Sequence, residues 1–294
     1  MAKAADNLPV DMPIGFVVLS HSEPASLRRL LRVLDRAYRR PAIVVHHDFS
    51  QCELPSEAPH WAADLQFVQP HIQTRWAHIS IVEAFLAALK VLYLTRAPDW
   101  FVLLSASDYP VCTGSAVIKE LNSGAADLYM DFQFLDRAPE APEPPPIGPN
   151  YLGVDKESWR QIANERYINP NMALPFSDQL RCCGGDFWLT GNQRVASRLI
   201  DAPERYPALF KYYSTAFCPD ESFCHTILGN DPDLRISKDN RRFTIWPDRG
   251  AHPRMLELAD LPLILASSSH FARKFSSEAD TPLLVALDSI AVWK

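Results

Sequence analysis

Long apolar runs, glycine motifs and cysteine pairs are all scarce in this chain, and each shortage narrows what it can be. No stretch approaches the roughly 18 uncharged apolar residues of a membrane-spanning helix, so none is expected. The start, MAKAADNLPVDMP, has no apolar signal-peptide core. The expectation is a cytoplasmic protein, at most peripheral to a membrane. Six cysteines in 294 residues do not make a disulfide scaffold. Cys182 and Cys183 are adjacent, and Cys218 and Cys224 lack C-x-x-C spacing. Most are therefore expected as buried free thiols. The formal net charge is −6 and no stretch is strongly basic, which argues against nucleic acid as the main partner. A ligand as small as a nucleotide stays open. Neither G-x-x-x-x-G-K-[ST] nor G-x-G-x-x-G occurs, so no glycine-rich phosphate loop is expected.

What is present is a core-forming composition, 47% hydrophobic and 22% charged, enough for one large domain. In the first half, strand and helix patterns alternate. IGFVVLS (14–20), AIVVHHD (42–48), WFVLLSAS (100–107) and ADLYMDF (126–132) have strand length and apolar content. Between them, Leu27, Leu30, Leu31 and Leu34 recur at helical spacing, as do Ile79, Val82, Phe85, Leu86 and Leu89. Ser22 is a possible cap, and Pro24 suits a first helical position. This alternation predicts an α/β fold with a mostly parallel central sheet flanked by helices. Residues 1–13 read as a tail and the proline-rich 137–150 as a surface loop of a single domain over 1–294. GGDFWLTGN reads as a glycine turn into a strand, followed by helices at 193–200 and 220–228, a strand at RRFTIWP and two late helices.

Ligands of such sheets bind at the carboxyl ends of the strands. Polar clusters fall there: Ser20-His21-Ser22, His46-His47-Asp48, and 105–108 ending in Asp108. On a strand, His46 and Asp48 share a face and could offer two metal ligands. The only Asp-x-Asp, Asp231-Pro232-Asp233, follows a helix end and reads as turn chemistry. Without a cation cluster, a diphosphate would need fixed cations. SHFARKF supplies Arg273 and Lys274 between aromatics, and AHPRML supplies Arg254. If that stretch is extended, Phe271, Arg273 and Phe275 share one face and Lys274 takes the other.

Several stretches together resemble the core-2/I-branching β-1,6-N-acetylglucosaminyltransferase and xylosyltransferase family. They are VVLSHSEPASLRRLLRVL, IVVHHD, TRWAHISIVEA, FVLLSASDYPV, CGGDFWLT, CPDESF, FTIWPD and AHPRMLELADLPLILASSSHFARKF, in the family's order. The resemblance implies a GT-A-like (Rossmann-like) fold and inverting transfer of a sugar, GlcNAc or xylose first, from a UDP-sugar to a glycan hydroxyl. It also implies no divalent metal and no other cofactor. By the same resemblance Glu221 is the general base, and Lys274 with Arg254 holds the diphosphate, with Arg241 or Arg242 as substitutes for Arg254. Asp48 sits where the family contacts uridine, Trp246 resembles an acceptor-site tryptophan, and Arg75 with Trp76 lies beside the site. His21, Asp108 and Arg273 are further donor-side candidates, and Tyr109 and Asp186 acceptor-side ones. For Asp108 and Tyr109 a turn-forming role weighs equally. Asp186 and Trp188 share a strand face, and Trp188 is either part of the pocket or core.

The stretch CPDESF carries the chemistry and also has a plain structural reading. With Pro219 at the first helical position, Asp220 and Glu221 fall in a first turn. There the helix dipole favours carboxylates and lowers their pKa. Two other function classes remain: a sugar- or nucleotide-binding protein without transfer, and a metal-dependent hydrolase on His46, His47 and Asp48.

Overall fold

The computed structural model describes residues 14–134, 175–216, 218–247, 252–276 and 281–291. The expected tail (1–13) and proline-rich loop (137–150) lie outside the described residues. Twelve strands are described: β1 (Ile14–Ser20), β2 (Ala42–His47), β3 (Leu65–Phe67), β4 (Trp100–Ser105), β5 (Tyr109–Pro110), β6 (Leu128–Met130), β7 (Gln133–Phe134), β8 (Cys183–Gly184), β9 (Leu189–Asn192), β10 (Ile236–Ser237), β11 (Arg242–Phe243) and β12 (Phe271–Ala272). Seven form the main sheet in the order β10-β6-β9-β4-β1-β2-β3. Every pairing in it is parallel except those of β9, which runs antiparallel to β4 and β6. This is the expected α/β layout.

The central strands are buried on both faces, so they read as unbroken apolar runs. In β1, Phe16 and Val18 face one core while Val17 faces the other. Helix α1 (Pro24–Ala37) covers the first face with Leu27, Leu30, Leu31 and Leu34, joined by Leu283, Leu284 and Leu287 of the helix Pro282–Ala291. Helix α2 (Ser80–Thr95) covers the second with Val82, Phe85 and Leu89, beside the helices Gln193–Ile200 and Phe223–Gly229.

Several expectations change in detail. Ser22 does not cap α1: Glu23 precedes Pro24 in a left-handed conformation, and no side chain caps that end. RRFTIWP pairs only over β11, and β3 and β10 are too short to show a pattern. The helix expected over 220–228 divides into a 3-10 turn, Pro219–Glu221, and the helix Phe223–Gly229.

Beyond the main sheet, β11-β12-β5 form a small sheet that brings the end of the chain back to the carboxyl end of β4. The register sets Ala272 opposite Tyr109 and Phe271 opposite Pro110. The segment that carries Arg273 and Lys274 is thereby hung beside the ends of the parallel strands.

Candidate active site

Strands β1, β2 and β4 run in register, with Ser20 opposite His47 and Leu19 opposite Ser105. Their carboxyl ends therefore open together, and a cavity of about 420 Å³ lies there. Its lining draws on Ser20, His21 and His46 from the strand ends, Thr74, Arg75 and Trp76 from one loop, and Asp186, Trp188, Asp220 and Glu221 from another wall. Trp246, His252, Arg273 and Lys274 complete it. Of the residues singled out from the sequence, the structure brings together His21, Arg75, Trp76, Asp186, Glu221, Trp246, Arg273 and Lys274. It leaves Asp48, Asp108, Tyr109 and Arg254 outside the lining.

Glu221 owes its place to a tight local turn. Cys218 has φ 47° and ψ 52°, a left-handed conformation unusual for a side chain larger than glycine. Its N–H donates to Ala77 O (3.1 Å), tying the turn to the loop that bears Trp76. The Glu221 N–H then closes onto Cys218 O (3.1 Å), and Gly185 N–H donates to Glu221 O (2.9 Å). A Cβ on Gly185 would lie 2.0 Å from the Asp131 carbonyl oxygen, so this close approach demands glycine.

The carboxyl groups here behave opposite to the helix-dipole expectation. Burial, then the charges of Asp220 and Asp186, pushes Glu221 well above the ordinary carboxylate range, with Arg273 pulling the other way. The 3-10 turn closes only two hydrogen bonds, Glu221 N–H to Cys218 O and Ser222 N–H to Pro219 O, and has little dipole, so desolvation wins. Burial raises Asp186 to about 6, against the pull of Arg273. Asp220 also rises to about 6 through burial, opposed by its own backbone and reinforced by Asp186. Glu221 Oε2 and Asp220 Oδ1 are buried atoms with no hydrogen-bond partner. A buried carboxylate oxygen left in this state is available to a ligand proton.

Two cations line the same cavity. The expected extended strand stops after Ala272. As a result Arg273 and Lys274 both reach the cavity instead of pointing to opposite sides. The Arg273 guanidinium carbon lies 4.2 Å from the Trp188 ring centroid, so Trp188 is both core and cavity wall. Arg273 Nε is 3.6 Å from Asp108 Oδ1. Asp108 is itself buried and accepts from the Ser105 N–H (2.6 Å) and hydroxyl. It thus supports Arg273 from behind. Burial, then Arg273, lowers Lys274 below its usual value, with Asp108 opposing.

Asp48 lies one layer out, and His46, at the cavity wall, is engaged by a neighbouring loop. Asp48 Oδ2 accepts from Thr74 N–H (2.7 Å), Thr74 hydroxyl (2.9 Å) and Gln51 (2.7 Å), while Ser50 binds Oδ1. Burial would raise this carboxyl, but those hydrogen bonds outweigh it and hold it well below the usual range. Ile72 N–H donates to His46 Nε2 (2.9 Å), and burial brings His46 down to about 4. His47 sits between Ser20 Oγ (3.1 Å) and Cys52 O (2.7 Å). All three side chains are taken up in holding loops. Among the described residues, no group of three His, Cys, Asp or Glu is arranged to hold a metal ion. With these side chains so engaged, nothing among the described residues favours the hydrolase reading built on His46, His47 and Asp48. Asp231 accepts from Asp233 N–H (2.9 Å) and from Arg198 (2.7 Å), the turn chemistry expected of it.

Arg254 is the clearest displacement. Its guanidinium forks onto Asp260 at 2.9 and 2.5 Å, away from the cavity. Two residues earlier, His252 lines the cavity instead, its ring edge-on to Trp76 at 6.1 Å. Trp76, 44% exposed, forms the lip. Neither substitute cation reaches this cavity. Arg241 binds Glu120 and Asp239, and Arg242 binds the carbonyls of Leu103 and Asn240. Tyr109 is buried beside α1, with its hydroxyl on Asp288. His252 was not singled out, being hidden by the more conspicuous arginine beside it, and Asp220, read as a structural carboxylate of a helix start, also lines the cavity. A smaller cavity of about 270 Å³, lined by Asp131, Lys238, Asp239 and Arg242 among others, shares Asp186 and Trp246 with the larger one. All six cysteines are free, and four are buried. No helix among the described residues is long and apolar enough to cross a membrane.

Known proteins resemble the chain as a whole. Xylosyltransferase 1 of Rattus norvegicus is 24% identical over 310 residues, covering 96% of this chain and 36% of that protein. The β-glucuronosyltransferase GlcAT14A of Arabidopsis thaliana is 27% identical over 201 residues, 65% of this chain and 42% of that protein. The chain spans about a third of the length of the first curated relatives it matches. Among solved structures, the galactosyltransferase LgtC, in complex with donor and acceptor sugar analogs, aligns over 95% of this chain and 97% of its own. Its TM-score of 0.43 and 10% identity make that a loose likeness. The family model of the Core-2/I-Branching enzymes matches residues 14–264. The chain belongs to the Core-2/I-branching enzyme family.

Proposed function

We propose that this chain is an inverting glycosyltransferase that moves a sugar from a UDP-sugar to a hydroxyl of a glycan acceptor without a divalent metal. GlcNAc and xylose are the sugars first in line, and the named glucuronosyltransferase relative adds glucuronic acid to the set worth testing. One observation carries the reading. A carboxylate with a buried, unpartnered oxygen, Glu221, lines the same cavity as Arg273 and Lys274.

In the reaction the acceptor oxygen attacks the anomeric carbon as the bond from that carbon to the diphosphate oxygen breaks. The acceptor proton passes to the Glu221 carboxylate, and the electron pair of the broken bond stays on UDP. Attack and departure on opposite faces invert the anomeric centre. A raised pKa makes Glu221 a stronger base once ionised. Arg273 and Lys274 neutralise the charge growing on the leaving group in a partly desolvated site. Arg273, stacked on Trp188 and backed by Asp108, takes the place first given to Arg254. Such fixed cations do the work a strand-end Asp-x-Asp with a metal would do, which supports the metal-free reading. Trp76, Trp188 and Trp246 supply flat apolar surface of the kind sugar rings and bases stack on.

The test is Glu221→Gln with a panel of UDP-sugars. Transfer should fall by roughly 10²- to 10⁴-fold while UDP binding changes little. Retained turnover sinks the base assignment. Activity lost in EDTA and restored by Mn²⁺ sinks the metal-free mechanism. A parent protein that binds UDP yet neither transfers nor hydrolyses any donor is a binding protein.

A further inference from the structure

Tyr109 was expected to touch the acceptor, yet its hydroxyl points to the opposite end of the chain. It donates to Asp288 Oδ1 in the helix Pro282–Ala291 and receives Arg29 Nε at 3.3 Å. Arg29 Nη2 also pairs with Asp288 Oδ2 (2.6 Å), closing a three-membered network between α1, β5 and that helix. Hydrogen bonds to an ionised carboxylate are the strong kind. Burial, then Asp288, pushes the Tyr109 hydroxyl well above its ordinary pKa, so it stays a donor at any working pH.

The backbone and ring of Tyr109 lie against the cation segment on both sides. Ala272, immediately before Arg273, pairs with Tyr109 in the small sheet. Phe275, immediately after Lys274, packs its ring 5.7 Å from the Tyr109 ring. The Phe275 N–H donates to Ser107 O (3.1 Å), and Asp108, next to Tyr109, backs Arg273. The residues flanking both cations are therefore fastened to 107–110, and 109 is fastened to the helix Pro282–Ala291. We propose that Tyr109, locked by Asp288 and Arg29, is a positioning residue that sets Arg273 and Lys274 against the donor diphosphate. The helix Pro282–Ala291, beyond the stretch matched by the family model, thereby tunes the grip on the donor. This rests on the reading of Arg273 and Lys274 as the diphosphate cations.

The experiment titrates UDP into the full chain and measures transfer kinetics for Tyr109→Phe, Asp288→Ala and Asp288→Asn, with Lys274→Ala as reference. Asp288 has a half-exposed side chain, and Tyr109→Phe removes one oxygen, so both sites tolerate substitution. Tyr109→Phe and Asp288→Ala should each weaken UDP binding and raise the donor KM roughly 3- to 30-fold, leaving the acceptor KM unchanged. Asp288→Asn, which keeps an oxygen for the tyrosine hydroxyl, should recover most of that loss. In the Lys274→Ala background Tyr109→Phe should cost less than in the parent, because one of the two cations it positions is gone. Unchanged UDP affinity with a lowered melting temperature overturns the proposal and leaves a purely structural latch. Full additivity with Lys274→Ala overturns it too. If Lys274→Ala itself binds UDP normally, the reading of the cation site fails, whatever the Tyr109 variants do.

Discussion

Asp186 offers a measurement of how much the cavity strains the fold. Its carboxyl rises from 3.8 to about 6, so ionisation is penalised in the folded chain. The sign follows from linkage. A raised carboxyl pKa costs nothing while both states are protonated, and the cost grows as pH climbs from the unfolded to the folded pKa. About two units at about 1.4 kcal/mol each give an upper figure of about 3 kcal/mol above pH 6. Asp186 is only half-buried, and screening by cavity water reduces this to roughly 1–3 kcal/mol. Asp186→Asn removes the charge and keeps an oxygen for the hydrogen bond from Asn240 Nδ2 (3.2 Å). The variant should gain under about 1 kcal/mol at pH 4 and roughly 1–3 kcal/mol at pH 8, a rise of a few degrees in melting temperature. Chemical denaturation at the two pH values reads the difference directly. A variant no more stable than the parent at pH 8, or equally stabilised at both pH values, would refute the reasoning.

Further outcomes follow from the same carboxylate cluster and from the two arginines. The rising limb of kcat/KM against pH should lie above the ordinary glutamate range, because burial, Asp220 and Asp186 all resist ionisation of Glu221. Asp220→Asn removes one opposing charge and should move that limb to lower pH; no movement, or movement upward, contradicts the coupling. Arg273→Ala should weaken UDP binding at least tenfold, losing a desolvated cation seated on Trp188. Arg254→Ala should leave UDP binding nearly unchanged and instead lower the melting temperature slightly, because it strips the ion pair from Asp260. The reverse pattern, read by calorimetric titration and thermal melts, would restore Arg254 to the site.

Much of the fold was legible in the order of the amino acids. The apolar runs of β1, β2 and β4 and the leucine spacing of α1 are local signals, because strand and helix periods are written in consecutive residues. The same holds for a cavity at the strand ends, which follows from parallel topology. Glu221, Lys274 and Trp246 were found through motif resemblance, and local pattern alone favoured a structural reading of Glu221. The short strands β3, β10 and β12 carry too few residues for any period to show.

The α/β class, the family and the short list of charged and aromatic residues from which a site is built are readable in the order of the amino acids. Which of them meet depends on how the chain folds. Arg254 and Arg273 are equally cationic on paper, but the first is claimed by Asp260 and the second is held between Trp188 and Asp108. The Glu221 pKa moves upward, not downward, because burial depends on residues far apart in the chain: Gly185, Asp186 and Ala77 close around a turn whose own three residues suggest only a helix start. Desolvation and charge proximity are properties of three-dimensional neighbours, and no local spacing encodes them.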